Sequence, residues 1–268
     1  MVYQIDHDLH IHSTLSPCCK VDTQTPERIL QYARANQLHT VCLTDHFWDA
    51  AVPGASKWYA PLTYERLCAA KPLPQDTNTR FLFGCETDMD ADLNLSISPQ
   101  KLSLFDFIVI ATTHMHFPFT RKPEDDASVE ARANAWVRRF DRVLSMKLPF
   151  HKIGIAHLSC RLIWREDNRY LQVLSAISDE EMIRLFTKAA RLGVGIELNA
   201  GDLLHLHSDP QTVLRPFRIA KQCGCKFYLG SDAHKPEDLD AAHKLFEEAI
   251  SLLALTEADK FRLCDDKS

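Results

Sequence analysis

Histidines and carboxylates recur along this chain where apolar, β-branched runs give way to polar residues: His10 and His12 in QIDHDLHIHS, His46 in HTVCLTDH, Glu86 in RFLFGCETD, His114 in FIVIATTH, His157 in KIGIAH, and Asp232 with His234 in KFYLGSDAH. Imidazole nitrogen together with carboxylate oxygen is a donor set for zinc, manganese or iron, whereas magnesium and calcium favour oxygen-rich shells. A carboxylate can bridge two ions, so a set of this size reads as a multinuclear centre. Two or three such ions would acidify water to hydroxide near neutral pH and clamp the attacking and leaving oxygens of an in-line displacement at phosphorus. Residue types alone therefore predict hydrolysis of a phosphate ester.

A single HxH pair would be weak evidence, because a lone buried histidine is more often a hydrogen-bonded core residue. Six strand-like runs that all end in ligand residues reverse that balance. Side chains two apart on a strand share a face, so His10 with His12 and Asp232 with His234 project together. Around the first pair, Tyr3, Ile5, Leu9 and Ile11 take one parity and Asp6, Asp8, His10 and His12 the other. That alternation predicts a half-buried strand opening onto a site.

Helical patterns separate these runs. The clearest is TPERILQYARANQ, with Thr25 as N-cap, Pro26 at the first helical position and Glu27 in the first turn. Others start near Asp179, Val213 and Pro236, a long helical run begins near Ala127, and VGIELNA brings the strands to about seven. Alternation of strand and helix implies a parallel sheet, and ligands at the strands' C-terminal ends imply closure around a site. The predicted architecture is an α/β fold, a distorted (β/α)7 TIM-like barrel formed by one domain over residues 1–268. Residues 47–79, with Trp48, Trp58 and Tyr59, and residues 115–150 interrupt the rhythm after ligand-bearing strands. They are expected to overhang the site or to pack over the barrel.

The net charge of −5 gives no global reason to expect nucleic acid as a partner. No apolar run approaches the roughly 18 residues that cross a bilayer, and no signal peptide is evident, so the expected location is the cytoplasm. Nine cysteines, Cys18, Cys19, Cys42, Cys68, Cys85, Cys160, Cys223, Cys225 and Cys264, are an odd number without CxxC spacing, and are expected to be reduced thiols. The acidic DDKS end is expected to fray.

In order, DLHIHS, TDH, GCETD, TTH, IAH and GSDAH resemble the motifs of the PHP (polymerase and histidinol phosphatase) superfamily, from about residue 5 to 235. The resemblance implies a distorted seven-stranded barrel and a trinuclear centre. Carried over by motif, His10, His12, Glu86 and Asp232 would hold one ion, Glu86, His114 and His157 a second with Glu86 as bridge, and His46 with His234 a third. The family's remaining third-site ligand is a histidine six beyond the HxH pair, where this chain has Cys18. Thiolate is a competent zinc ligand, so Cys18 either serves or leaves the third site weak or selective for another ion. Cys19 is a poorer substitute.

Other residues carry weaker expectations. Asp8 is placed to orient a ligand imidazole, or is only a barrel carboxylate. His116, two beyond His114, is either a substrate contact or, the favoured reading, a loop histidine; Glu197 and Asn199 are placed to contact substrate or to support ligands, while His7, His39, His151, His205, His207 and His243 read as structural or surface residues. Arg161 is the leading candidate for a bidentate phosphate clamp, followed by Arg121, Arg165 and Lys235, each with the alternative of a solvated charge. Catalysis is expected to rest on Glu86, Asp232, His234 and Arg161 with two or three Zn, Mn or Fe ions. GxxxxGK, GxSxG and HExxH motifs are absent. The leading expectation is a histidinol-phosphatase-like phosphomonoesterase acting on a small phosphorylated metabolite. The alternatives are a nuclease or cyclic-phosphate diesterase on the same core, and a non-catalytic metal-binding regulatory module. No oligomeric state is read from the pattern.

Overall fold

A computed structural model describes residues 1–263; Cys264 and the DDKS end lie outside the described residues. The β-branched runs form nine strands: β1 (His7–Ile11), β2 (Thr40–Leu43), β3 (His46–Phe47), β4 (Arg80–Phe83), β5 (Cys85–Asp88), β6 (Ile108–Ala111), β7 (Ile153–Ala156), β8 (Gly195–Asn199) and β9 (Lys226–Gly230). All pair in parallel, in two ladders ordered β1-β2-β4 and β3-β5-β6-β7-β8-β9. The count exceeds the expected seven because two runs break, TVCLTDH into β2 and β3, and RFLFGCETD into β4 and β5. The second break falls at Gly84, where a Cβ would lie 2.6 Å from the Phe107 carbonyl oxygen, 2.7 Å from Cys42 Sγ and 2.9 Å from Thr44 Cγ2. Only a residue without a side chain lets the backbone pass there.

The ladders meet at both margins. Gly84 N donates to Leu43 O at 2.8 Å and Glu86 N to Asp45 O at 3.1 Å, handing the chain from one ladder to the other. On the far side Ile11 bridges Ala233 in parallel, and Asp232 N donates to His10 O at 2.7 Å.

The helices are α1 (Pro26–Ala35), α2 (Tyr64–Leu67), α3 (Val129–Leu144), α4 (Arg169–Ala176), α5 (Asp179–Leu192), α6 (Ala200–Leu203), α7 (Pro210–Gln222) and α8 (Pro236–Leu252). Thr25 caps α1 as expected, accepting from Arg28 N, and Ser128, Ser178 and Asp209 cap α3, α5 and α7 in the same way. The Asp209 cap and Pro210 start α7 three residues before the expected Val213. Among the described residues no helix is long and apolar enough to cross a membrane.

Of the four buried clusters among the described residues, three organise the packing of strands and helices. The largest joins the longer ladder to α3, α5 and α7 through Ile110, Trp136, Phe140, Ile155, Phe186 and Phe217. A second sets Ile11, Val41 and Leu43 against Ile29 and Tyr32 of α1 and Leu239 of α8. The third gathers Leu9, Cys42, Leu82, Val109, Ala156 and Tyr228 from strands of both ladders. Leu9 and Ile11 thus lie in different clusters, which the simple alternation expected for β1 does not allow; the β1–β2 register shifts between Asp8 and Ile11.

Candidate metal centre

Every strand-end residue singled out above converges on one point, and Glu86 occupies the middle. Its Oε2 lies 3.7 Å from His10 Nε2, 3.4 Å from His12 Nε2 and 2.8 Å from His46 Nδ1; its Oε1 lies 3.1 Å from His157 Nε2 and 3.7 Å from His114 Nε2. Asp232 Oδ1 lies 3.0 Å from His12 Nε2 and 3.5 Å from His10 Nε2. Three ligand groups close within this constellation: His10, His12 and Glu86; Glu86, His114 and His157; and His12, His46 and His234. Donor atoms around a tetrahedral zinc stand roughly 3.4 Å apart, given bonds of about 2.0–2.2 Å.

A donor pair that never forms a hydrogen bond tests whether ions fit. His46 Nδ1 and Glu86 Oε2 face each other at 2.8 Å, yet both are buried and neither has a hydrogen-bond partner. A buried carboxylate oxygen this close to an imidazole nitrogen, with no hydrogen bond between them, needs positive charge beside it, which either a proton on His46 or a bound cation supplies. The residues present therefore fit a transition-metal centre.

Electrostatics agree. Burial would raise the Glu86 and Asp232 carboxyls, but the surrounding imidazoles outweigh it and hold both well below the usual carboxylate range. Burial would lower His10 and His46; neighbouring carboxylates, Glu197 foremost for His10 and Glu86 for His46, hold both well above the ordinary imidazole range. His12 goes the other way, lowered by burial and by repulsion from His234 and His46. Without an ion, protons on the imidazoles supply the positive charge that the carboxylates require.

Carboxylates behind the ligands orient them. Glu197 Oε1 meets His10 Nδ1 at 2.6 Å, and its Oε2 accepts from His157 N at 3.2 Å and Asn199 Nδ2 at 3.1 Å. The orienting role open to Asp8 thus belongs to Glu197, because Asp8 is taken up by Ser231 N at 2.9 Å, His10 N at 3.3 Å and Tyr32 OH at 3.2 Å. Gly230 makes room for that arrangement, since a Cβ there would fall on Glu197 Oε1 and crowd His10 Cβ. Asp88 Oδ2 meets His114 Nδ1 at 3.0 Å and accepts from the buried Tyr59 hydroxyl. Asp45 accepts from Ser13 N at 2.8 Å and from Ser16 Oγ at 2.5 Å, and Ser16 Oγ contacts His12 Nδ1 at 3.2 Å. Sequence reasoning missed Asp45, Ser16 and Asp88, although Asp88 stands two beyond Glu86 on β5 and the parity that paired His10 with His12 would have found it.

Two of the candidate ligand residues hold strained backbone. His157 and Asp232, at the ends of β7 and β9, have φ of 62° and 54°. That left-handed conformation costs of order 1 kcal/mol for a residue with a side chain and persists where the surroundings enforce it.

A cavity of about 400 Å³ opens over Glu86, His46, His114, Asp232 and His234, and its remaining wall includes Cys18, Trp58, His116 and Phe117. Cys19 first, then His234 and His46, hold the Cys18 thiol far below the usual range, while Cys19 is pushed up. The ligand group beside it nonetheless closes through His12. The cations of this wall are Lys20 and Arg165. Arg161 is not among the lining residues; it begins a turn after Cys160, is exposed, and its charge acts on Tyr170 and His205. Lys235 is exposed beside Asp238, 3.9 Å away, and Arg121 pairs with Asp126. Of the aromatic overhang, Trp58 and Phe117 reach the cavity, while Trp48 and Tyr59 are buried beneath it. Helix α3 does not overhang; its Arg139 is buried and binds the loops after β5 and β6 through Met89 O at 2.9 Å and Thr112 O at 2.6 Å.

Neither family models nor the sequences of curated proteins give a match to this chain. Among solved structures, its fold is similar to the crystal structure of histidinol phosphate phosphatase from Lactococcus lactis subsp. lactis Il1403 complexed with zinc, L-histidinol and phosphate. The TM-score is 0.54 at 18% sequence identity, with 91% of this chain and 93% of that chain covered.

Proposed function

We propose that this chain is a metal-dependent phosphomonoesterase built on a distorted (β/α) barrel, hydrolysing a small phosphorylated metabolite in the cytoplasm. The observation that carries the reading is the ring of buried strand-end donors closed around Glu86, whose Oε2 faces His46 Nδ1 without a hydrogen bond. The third hydrophobic cluster, drawn from strands of both ladders, supports barrel closure. The similar fold of a histidinol phosphate phosphatase adds support for phosphate ester chemistry.

His10, His12, Glu86 and Asp232 would hold one ion, Glu86, His114 and His157 a second, and His46, His234 and either His12 or Cys18 a third. When bound, zinc, manganese or iron ions would supply an acidified water and positive charge for the phosphoryl oxygens. The chain's own part is to fix those ligands through Glu197, Asp88 and the Asp45–Ser16 pair, and to keep the site dry beneath Trp58 and Phe117. Arg165 and Lys20, rather than Arg161, stand where a phosphate in the cavity would find a cation.

The test is release of inorganic phosphate from a panel of monoesters, histidinol phosphate first, by protein whose metal content has been measured. Chelation should abolish the activity and added Mn, Zn or Fe restore it; full turnover by metal-free protein would overturn the reading. Glu86→Gln removes the negative charge at the middle of the ligand ring and should lower both metal content and rate, by more than His46→Ala does.

A further inference from the structure

A second cavity, of about 600 Å³, adjoins the metal site and shares His116 and Arg165 with it. Its lining includes Arg121, Arg132, Arg169 and Trp164. Arg132 is buried and satisfied: its guanidinium binds Asp126 and the Ile163 carbonyl, and Nε donates to Asp125 O at 3.1 Å. The others are not. Arg121 donates through Nε to both Asp126 oxygens, at 2.8 and 3.0 Å, but its Nη1 is buried without a partner. Arg169 rests 5.1 Å from the Trp164 ring, which also stacks against Arg132 at 4.6 Å. Asp126, Glu166 and Asp167 line the same cavity, so four guanidiniums stand against three carboxylates; among the described residues neither Arg165 nor Arg169 forms an ion pair with Glu166 or Asp167. Asp126 is already shared between Arg121 and Arg132. Guanidiniums that outnumber the carboxylates round one cavity, two of them without an ion pair, match a carboxylate or phosphate oxygen.

We propose that this cavity is an anion-binding subsite, and that the preferred substrate is a phosphomonoester bearing a second fixed anion, carboxylate or phosphate, remote from the scissile ester. The proposal rests on the phosphomonoesterase reading and narrows its substrate class, since a remote ammonium would meet the same arginines unfavourably. Calorimetry on metal-loaded protein tests it with alkylphosphonates of graded chain length tipped by methyl, carboxylate, phosphonate or ammonium. At one chain length an anionic tip should bind about tenfold tighter than methyl, and ammonium more weakly. The carboxylate and phosphonate series identify which anion is preferred. Arg169→Gln, an exposed change that spares the fold, and Arg121→Gln should each erase the gain without altering the methyl-tipped compound. Equal affinities at every length, no binding of any compound, or a gain that survives both substitutions would overturn the subsite. Hydrolysis of the matching phosphates is read separately: tip-selective binding without turnover overturns the phosphomonoesterase reading alone, and turnover without tip preference overturns the subsite alone.

Discussion

At the scale of single residues, the candidate centre depends on buried donors, two of which, His46 Nδ1 and Glu86 Oε2, make no hydrogen bond. Cys18 is the position at which this chain differs from the motif it otherwise resembles, and it lines one cavity with His46 and His234. If thiolate is a ligand, Cys18→Ser should lower metal stoichiometry towards two while Cys18→His preserves it; elemental analysis that finds no change in Cys18→Ser would make the thiol a packing group and leave His12 to complete the third set. Protonation sets a second expectation. Burial alone would lower the His157 and His234 imidazoles, but the Asp232 carboxylate, with Glu86 for His157 and Cys18 for His234, outweighs it and holds both at about 9. Protons held there must leave before an ion binds, so apparent metal affinity should climb from neutral pH up to at least about 9. The slope should approach about tenfold per pH unit for each proton displaced. Chelator-buffered metal titrations at several pH values measure it, and a flat profile would contradict the assignment.

At the scale of elements, the site depends on where strands stop and what stands behind them. Glycine at the end of β9 lets Glu197 of β8 pass beneath it to His10 of β1, joining three strands through one carboxylate. Gly230→Ala should displace Glu197 and weaken metal retention by about 10–100-fold, the usual cost of losing a partner that orients a ligand. Metal content after dialysis against a weak chelator reads this, and full retention would show that Glu197 is dispensable. Arg139 acts on the loops: by binding the carbonyls after β5 and β6 it places the segments that carry Asp88 and His114 relative to one another.

At the scale of the whole molecule, discrimination between mono- and diesters must come from what surrounds the ligands, because the metal chemistry is common to both. A polynucleotide track needs several phosphate-neutralising cations in line with aromatic stacking surfaces. This chain is net acidic, and its arginines near the site gather in one pocket rather than along a groove. Phosphate release from a small monoester should therefore change little between low and moderate salt. Efficient, strongly salt-dependent cleavage of oligonucleotides with no activity on small monoesters would favour a nuclease instead.

The parallel α/β order and the identity of the strand-end donors were legible in the sequence because both follow from local periodicity. A two-residue repeat puts His10 with His12 on one face, and strands alternating with helices bring their C-terminal ends together. The rest depended on contacts between residues far apart in the chain. Glu197 rather than Asp8 orients His10 because β8 stands one strand beyond β9 from β1 and its carboxylate reaches across Gly230 over 187 positions of sequence, while Tyr32 and Ser231 occupy Asp8. The bulge that parts Leu9 from Ile11 follows from pairing with β2. Arg165 and Lys20, not Arg161, line the cavity because the turn after β7 directs Arg161 away from it. Spacing along the chain determined which donors this protein brings to one end of its strands; only the tertiary structure decided which charges stand around them, since side-chain direction in loops is set by packing rather than by periodicity.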